Sequence, residues 1–213
     1  MDCQLIRADC MNIMPSMKND EVNCTLTDIP YGVVNREDNG LRNLNKGKAD
    51  IETFVLTDFL EEVTRVTQDV VIIFCAREQV SDICKYFATK KGTVRQGVWH
   101  KSNPMPSNGK YVYLSGIENF IWFRKPKGTF NAYCKNPVLK HPIGSSKLHP
   151  TEKNHELLKE LILDNTNAGQ TIFDPCMGSG STGLIARELE RKFIGIELDE
   201  NYFNIAKERI NGN

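Results

Sequence analysis

The stretch from Thr171 to Tyr202, TIFDPCMGSGSTGLIARELERKFIGIELDENY, constrains the fold more than any other part of the chain. A short β-branched run ends at Asp174, a glycine-rich turn follows, a helical pattern begins near Ser181, and a second apolar run ends at Glu197. Gly178, Gly180 and Gly183 satisfy G-x-G-x-x-G. That spacing lets backbone approach a ligand closely and aims the first amides of a helix at it. Glu197 follows Gly180 by 17 residues, where an acid can chelate the two hydroxyls of a ribose. The pattern predicts a nucleoside-binding β-α-β unit.

Its place in the chain is equally informative. A dinucleotide fold needs a second mononucleotide-binding half after the first, yet only 30 residues follow Gly183. The rest of the sheet must come from upstream, so the cofactor half is circularly permuted. Apolar runs near 4–8, 22–27, 69–75, 93–99, 117–123, 170–174 and 192–197 fit strands. Helical patterns fit 52–67, 77–89, 152–164, 180–190 and 199–210. This alternation predicts an α/β sheet with helices on both faces. In the 152–164 helix Leu157, Leu158, Leu161 and Ile162 share one face, with Thr151 as N-cap. The segments 35–50 and 124–150 are rich in polar residues, Gly, Pro and Lys and are expected to be loops.

A length of 213 residues, 40% hydrophobic, suits one domain. No run of about 18 apolar residues is present and the opening MDCQLIRADC lacks signal-peptide character, so a cytoplasmic location is expected. Seven cysteines with no C-x-x-C pair suggest buried thiols rather than a disulfide framework or a metal site. Formal charge is zero, but it is unevenly distributed: residues 85–147 hold 12 Lys/Arg against a single acid, Glu118. That segregation predicts a basic face for a polyanion.

A second stretch, NCTLTDIPYG, climbs through apolar and β-branched residues to Asp28 and stops on Ile29-Pro30-Tyr31. Taken with HPTEKNHELLKELI, FDPCMGSGSTG and FIGIELD downstream, it resembles the amino-group DNA methyltransferases of the permuted β class, which use S-adenosylmethionine. RADCMNIMPSMKNDEVNCTLTDIPY is similar to the family's opening segment, and VWHKSNPMPSNGKYVYLSGIENFIWFRK to its later strands and loops. The resemblance implies a Rossmann-like sheet of seven strands, mostly parallel with one antiparallel. It also implies a single domain over 1–213, with a catalytic half at 1–123, a cofactor half at 149–213 and a short target-recognition insertion at about 125–147.

The family tetrapeptide usually carries proline at its second position; here it is Asp28-Ile29-Pro30-Tyr31. By resemblance, the Asp28 carboxylate and the Ile29 carbonyl accept the two protons of an exocyclic amine, and Tyr31 stacks on the extruded base. Pro30 holds Ile29 in extended geometry, so the acceptor survives the substitution. The cofactor residues implied are Asp9, Cys10, Asp28, His149, Thr151, Lys153, Asp174, Pro175, Cys176, Gly178, Ser179, Gly180, Glu197 and Leu198. Candidate DNA contacts are Trp99, Lys101, Asn103, Lys110, Arg124, Lys125, Lys127, Lys135, Lys140 and Lys147. Trp99 fits equally well as a partly buried aromatic at a strand end.

The expected reaction is methylation of adenine N6 in DNA, with a homodimer as a possible assembly and no metal. Cytosine-N4 transfer, transfer to RNA, an NAD-dependent oxidoreductase and an inactive DNA-binding relative are the alternatives. Aspartate in the tetrapeptide favours adenine, since cytosine-N4 relatives more often carry serine there.

Overall fold

The computed structural model describes residues 2–31, 54–106, 109–144 and 153–212. Its elements run β1 (Cys3–Arg7), α1 (Cys10–Ile13), a 3-10 turn at Met14–Ser16, β2 (Val22–Asp28), α2 (Leu56–Val66), β3 (Thr67–Cys75) and α3 (Val80–Ala88). They continue with β4 (Thr93–Lys101), β5 (Ile117–Arg124), β6 (Val138–His141), α4 (His155–Asn165), β7 (Thr171–Asp174), α5 (Ser181–Glu188), β8 (Lys192–Glu197) and α6 (Glu200–Asn211).

One sheet holds eight strands in the order β1-β8-β7-β2-β3-β5-β4-β6. Only β5 runs against its neighbours, β3 and β4; the other pairings are parallel. The expected single antiparallel strand is therefore present, and the strand count rises from seven to eight. The addition is β6, inside the segment expected to be loop. Its four residues lie between Pro137 and Pro142, too short a run to show a period, and it is recruited by parallel pairing with the edge of β4.

The sheet is buried on both sides, and β3 shows how. Val70, Ile72 and Phe74 enter a core with Leu157, Leu158, Leu161 and Ile162 of α4 and Ile185 of α5. Val71, Ile73 and Cys75 point the other way, into a core with Phe59, Leu60 and Val63 of α2 and Ile83 and Phe87 of α3. A period of two along a strand and burial of both faces produce the near-continuous apolar run TQDVVIIFC. The α4 face expected from its leucine spacing is the one buried.

The N-cap of that helix differs from expectation. Thr151 lies outside the described residues, and Asn154 caps instead, its Oδ1 accepting from the Leu157 amide at 3.0 Å. Asp9 likewise caps α1 by accepting from the Met11 amide at 2.9 Å.

Strand order positions the site. The late unit β7-α5-β8 inserts between β1 and β2, with Cys24 opposite Ile172 and Thr25 opposite Phe173. From β7 the chain moves outward through α5 to β8, and from β2 the other way through α2 to β3. The boundary between β7 and β2 is thus a topological switch point, and the crevice beyond its carboxyl ends is where open α/β sheets hold ligands. Asp174 and Asp28 are the last residues of those two strands.

Candidate active site

Asp28 is half-buried at the end of β2 and engaged on both oxygens. Lys153 Nζ donates to Oδ2 at 2.5 Å, and the Tyr31 hydroxyl lies 2.8 Å from Oδ1. The same hydroxyl is 2.9 Å from Glu118 Oε1, and Lys153 Nζ is 2.5 Å from that Glu118 oxygen. Lys101 closes the cluster on Glu118 Oε2 at 2.9 Å. Two carboxylates and two ammonium groups therefore balance in a partly dry pocket whose wall includes the Phe74 ring, 5.0 Å from Lys153 Nζ.

Burial raises the Asp28 carboxyl above its ordinary value, with Lys153 opposing and Glu118 adding to the rise. For Glu118 burial also pushes upward, but Lys153 and Lys101 outweigh it and hold the group at about 2. Burial acts to lower Lys153, and the two carboxylates overcome it, so the ammonium stays charged.

The tetrapeptide backbone is pinned on both sides. The Ile29 amide donates to the Phe74 carbonyl at 3.2 Å, and the Pro30 carbonyl accepts from Gln79 Nε2 at 3.1 Å. The Ile29 side chain, 2% exposed, is locked in the α2-side core. Isoleucine thus adds a hydrogen bond that proline cannot make, offsetting the lost ring rigidity.

One strand over, Asp174 is 3% exposed, and burial raises its carboxyl to about 7; the Cys176 amide, donating at 3.2 Å, opposes the rise. The glycines have separate tasks. Gly178 has φ +52°, and a Cβ there would meet nothing within 4 Å, so its face is open. Gly180 has φ +80° and lies against α6, where a Cβ would come 2.8 Å from that of Ala206. Gly183 packs so closely that a Cβ would lie 2.4 Å from Ile210 Cδ1.

Glu197, at the end of β8, accepts from the amides of Gly178 and Asp199, each at 2.8 Å. Leu198 beside it is 53% exposed. Pro175 and Ser179 are buried, and Ser179 is held by Arg209. Cys10 and Cys176 meet side chain to side chain, a contact that helps raise the Cys176 thiol well above its ordinary value. An open glycine, a half-buried acid and an exposed leucine around one crevice suit an adenosine with a charged tail. His149 lies outside the described residues, as does Thr151.

The predicted DNA contacts divide. Lys101, Asn103, Lys110 and Lys140 occupy the Asp28 end of the sheet, on β4, the loop after it and the adjoining edge β6. Lys101 is engaged by Glu118, and Asn103 Oδ1 accepts from the Ile143 amide at 2.5 Å. Arg124, Lys125 and Lys127 belong to the opposite end, because antiparallel β5 carries the chain away: Phe120 pairs with Phe74, whereas Arg124 pairs with Val70. Lys125 bonds Asp20 at 2.8 Å, and Lys135 is held by Glu160 and Asp164 of α4. Trp99 is 3% exposed and donates to the His141 carbonyl at 2.9 Å, so it supports the strand end from within. Lys147 lies outside the described residues.

Glu118 and Gln79 are site residues that motif reasoning missed. The signal for Glu118 was its solitude as the only acid among residues 85–147. The loop between β4 and β5 also exposes Tyr111 and Tyr113, 79% and 102% accessible, at the Asp28 end of the sheet.

A family profile described as DNA methylase, of the N6/N4 type, matches residues 22–208. The chain belongs to this DNA methylase family. It is 31% identical over 131 residues to the type II methyltransferase M2.LlaDCHI of Lactococcus lactis subsp. cremoris, covering 53% of this chain and 49% of that protein. It is also 31% identical over 130 residues to the type II methyltransferase M2.DpnII of Streptococcus pneumoniae, covering 53% and 48%. The chain thus spans about half the length of the curated relatives it matches.

Among solved structures, the M1.HpyAVI–SAM complex superposes with a TM-score of 0.77 at 30% identity, over 98% of this chain and 99% of the other. The cytosine-N4-specific PvuII DNA methyltransferase shares the fold, with a TM-score of 0.73 at 16% identity over 100% and 94%. This membership removes the oxidoreductase alternative. Among the described residues no cluster of metal-ligating side chains occurs, and no helix is long and apolar enough to cross a membrane.

Proposed function

We propose that this chain transfers a methyl group from S-adenosylmethionine to the exocyclic N6 of adenine in DNA. The observation that carries the reading is the adjacency of β2 and β7, which sets the Asp28 carboxylate beside the glycine turn that starts at Asp174. Bound S-adenosylmethionine supplies a methyl group activated on a sulfonium. Glu197 would take its ribose hydroxyls, Leu198 and Asp9 would hold its adenine, and Asp174 would meet its methionine end.

Asp28 and the Ile29 carbonyl accept hydrogen bonds from the two N–H groups of the incoming amine. The nitrogen lone pair, otherwise delocalised into the ring, is thereby turned toward the methyl carbon. A stacked base cannot reach this crevice, so the adenine is extruded, with the Tyr31 ring as its platform. The duplex lies across the catalytic end, where Lys110 and Lys140 meet phosphates and the basic 125–147 segment contributes through its β6 side. Pairing into a homodimer extends the DNA-contacting surface. Action on DNA as one part of a modification system is consistent with a cytoplasmic location.

Incubation with labelled S-adenosylmethionine and DNA of mixed sequence, followed by nucleoside analysis, tests the proposal. N6-methyladenosine of the deoxy series is expected. Exclusive N4-methylcytosine overturns the target, and no labelled nucleoside overturns the activity. Sedimentation showing only monomer at assay concentration contradicts the dimer.

A further inference from the structure

Both oxygens of Asp28 already face a donor: Lys153 Nζ at Oδ2 and the Tyr31 hydroxyl at Oδ1. An amine arriving at this carboxylate competes with them for its lone pairs and for the space in front of it. Both donors are polar and largely buried, so each needs another partner in place if it yields. Both already have one, and it is the same atom: Glu118 Oε1 lies 2.5 Å from Lys153 Nζ and 2.9 Å from the Tyr31 hydroxyl.

Tyr31 has one proton to donate, so donation to Glu118 releases Asp28 Oδ1 without breaking a net hydrogen bond. Lys153 keeps a full ion pair when it lets go of Oδ2. Glu118 is itself 15% exposed on its side chain and anchored on its second oxygen by Lys101 at 2.9 Å, so it stays in place while its partners change.

We propose that Glu118 is a positioning residue that unloads Asp28: it takes over the Lys153 ion pair and the Tyr31 hydrogen bond as the target amine takes their place. The proposal rests on the methyl-transfer reading above. Glu118 touches neither the base nor the cofactor in this scheme. It acts by making the loaded and unloaded states of Asp28 close in energy. Without its charge, Lys153 has Asp28 as its only anionic partner among the described residues and holds the carboxylate against the substrate.

The test compares wild type, Glu118→Gln, Glu118→Asp and the double variant Glu118→Gln with Lys153→Met in single-turnover methylation. S-adenosylmethionine and DNA affinities are titrated in parallel. The expected result for Glu118→Gln is a transfer rate at least about 30-fold lower, the usual scale for removing one member of a buried charge pair, with both affinities within about threefold of wild type. Glu118→Asp, which keeps the charge but withdraws it by one methylene, falls between. The discriminating outcome is rescue. Removing Lys153 from the Glu118→Gln protein should restore the rate by about tenfold or more, because the group that blocks Asp28 is then gone.

A purely structural Glu118 gives additive losses, so a double variant no faster than Glu118→Gln overturns the proposal. A Glu118→Gln rate within threefold of wild type also overturns it. Should Glu118→Gln fail to fold, Glu118→Asp alone decides: a wild-type rate at unchanged affinities contradicts the exchange, and a slowed rate supports it. A wild-type chain that transfers no methyl group overturns the transferase reading, and the proposal with it.

Discussion

Asp28 and Lys153, 125 residues apart in the chain, meet at 2.5 Å across the crevice between β2 and the start of α4. This contact joins β2 to the segment that leads into α4 and opposes the rise that burial imposes on the carboxyl. Asp28 is raised by burial and Glu118 and lowered by Lys153. The sign of a lysine deletion follows directly.

Methylation that depends on ionised Asp28 should lose rate on the acid side, with the limb above the ordinary carboxylate value of 3.8. Lys153→Met removes the group that favours the charged form and should move that limb to still higher pH. Single-turnover rates measured against pH at saturating cofactor check this. A limb that moves to lower pH in the variant contradicts the assignment.

Asp174 should trade stability for binding. Its folded-state value of about 7 lies above the ordinary carboxylate value of 3.8, so the fold favours the protonated form. Its contribution is complete below pH 3.8 and is lost as pH rises to about 7. Asp174→Asn, which cannot ionise, should therefore stabilise the cofactor-free protein at pH 8 by on the order of 2–4 kcal/mol and weaken S-adenosylmethionine binding. Urea unfolding at pH 4 and pH 8 reads the first effect and a cofactor titration the second. Equal stability changes at both pH values would be inconsistent with a buried, neutralised acid.

Ile29→Pro recreates the usual family tetrapeptide but removes the amide that bonds Phe74 and withdraws an aliphatic side chain from the core. The variant should be destabilised by about 1–3 kcal/mol while keeping the backbone carbonyl that accepts from the amine. The expected signature is a lower unfolding midpoint with transfer activity near wild type at low temperature. Loss of activity without loss of stability would mean that the isoleucine has a direct role.

The legible parts of the sequence were those in which one local pattern fixes both structure and chemistry. The run from Thr171 to Glu197 declares a strand, a glycine turn, a helix and a second strand in 27 residues, and TDIPY marks a strand end by itself. What escaped depends on distant pairing. β6 becomes a strand only because β4 offers a free edge, and nothing local announces that in VLKH. Lysines between 124 and 135 looked like phosphate contacts, but the antiparallel course of β5 carries Arg124, Lys125 and Lys127 to the far end of the sheet. Trp99 is consumed by the core for a similar reason: its indole satisfies a carbonyl on β6. Glu118 stood out in composition, yet its role emerges only when β5 folds beside β3 and presents it to Tyr31 and Lys153.

The central claim is tested most directly by comparing single-turnover methyl transfer by wild type and Asp28→Ala while cofactor affinity is measured on the same samples. The account predicts a rate loss of about 100-fold or more with S-adenosylmethionine bound as tightly as before, because Asp28 addresses the amine and the glycine turn holds the donor. Transfer by Asp28→Ala at a rate close to wild type would contradict it.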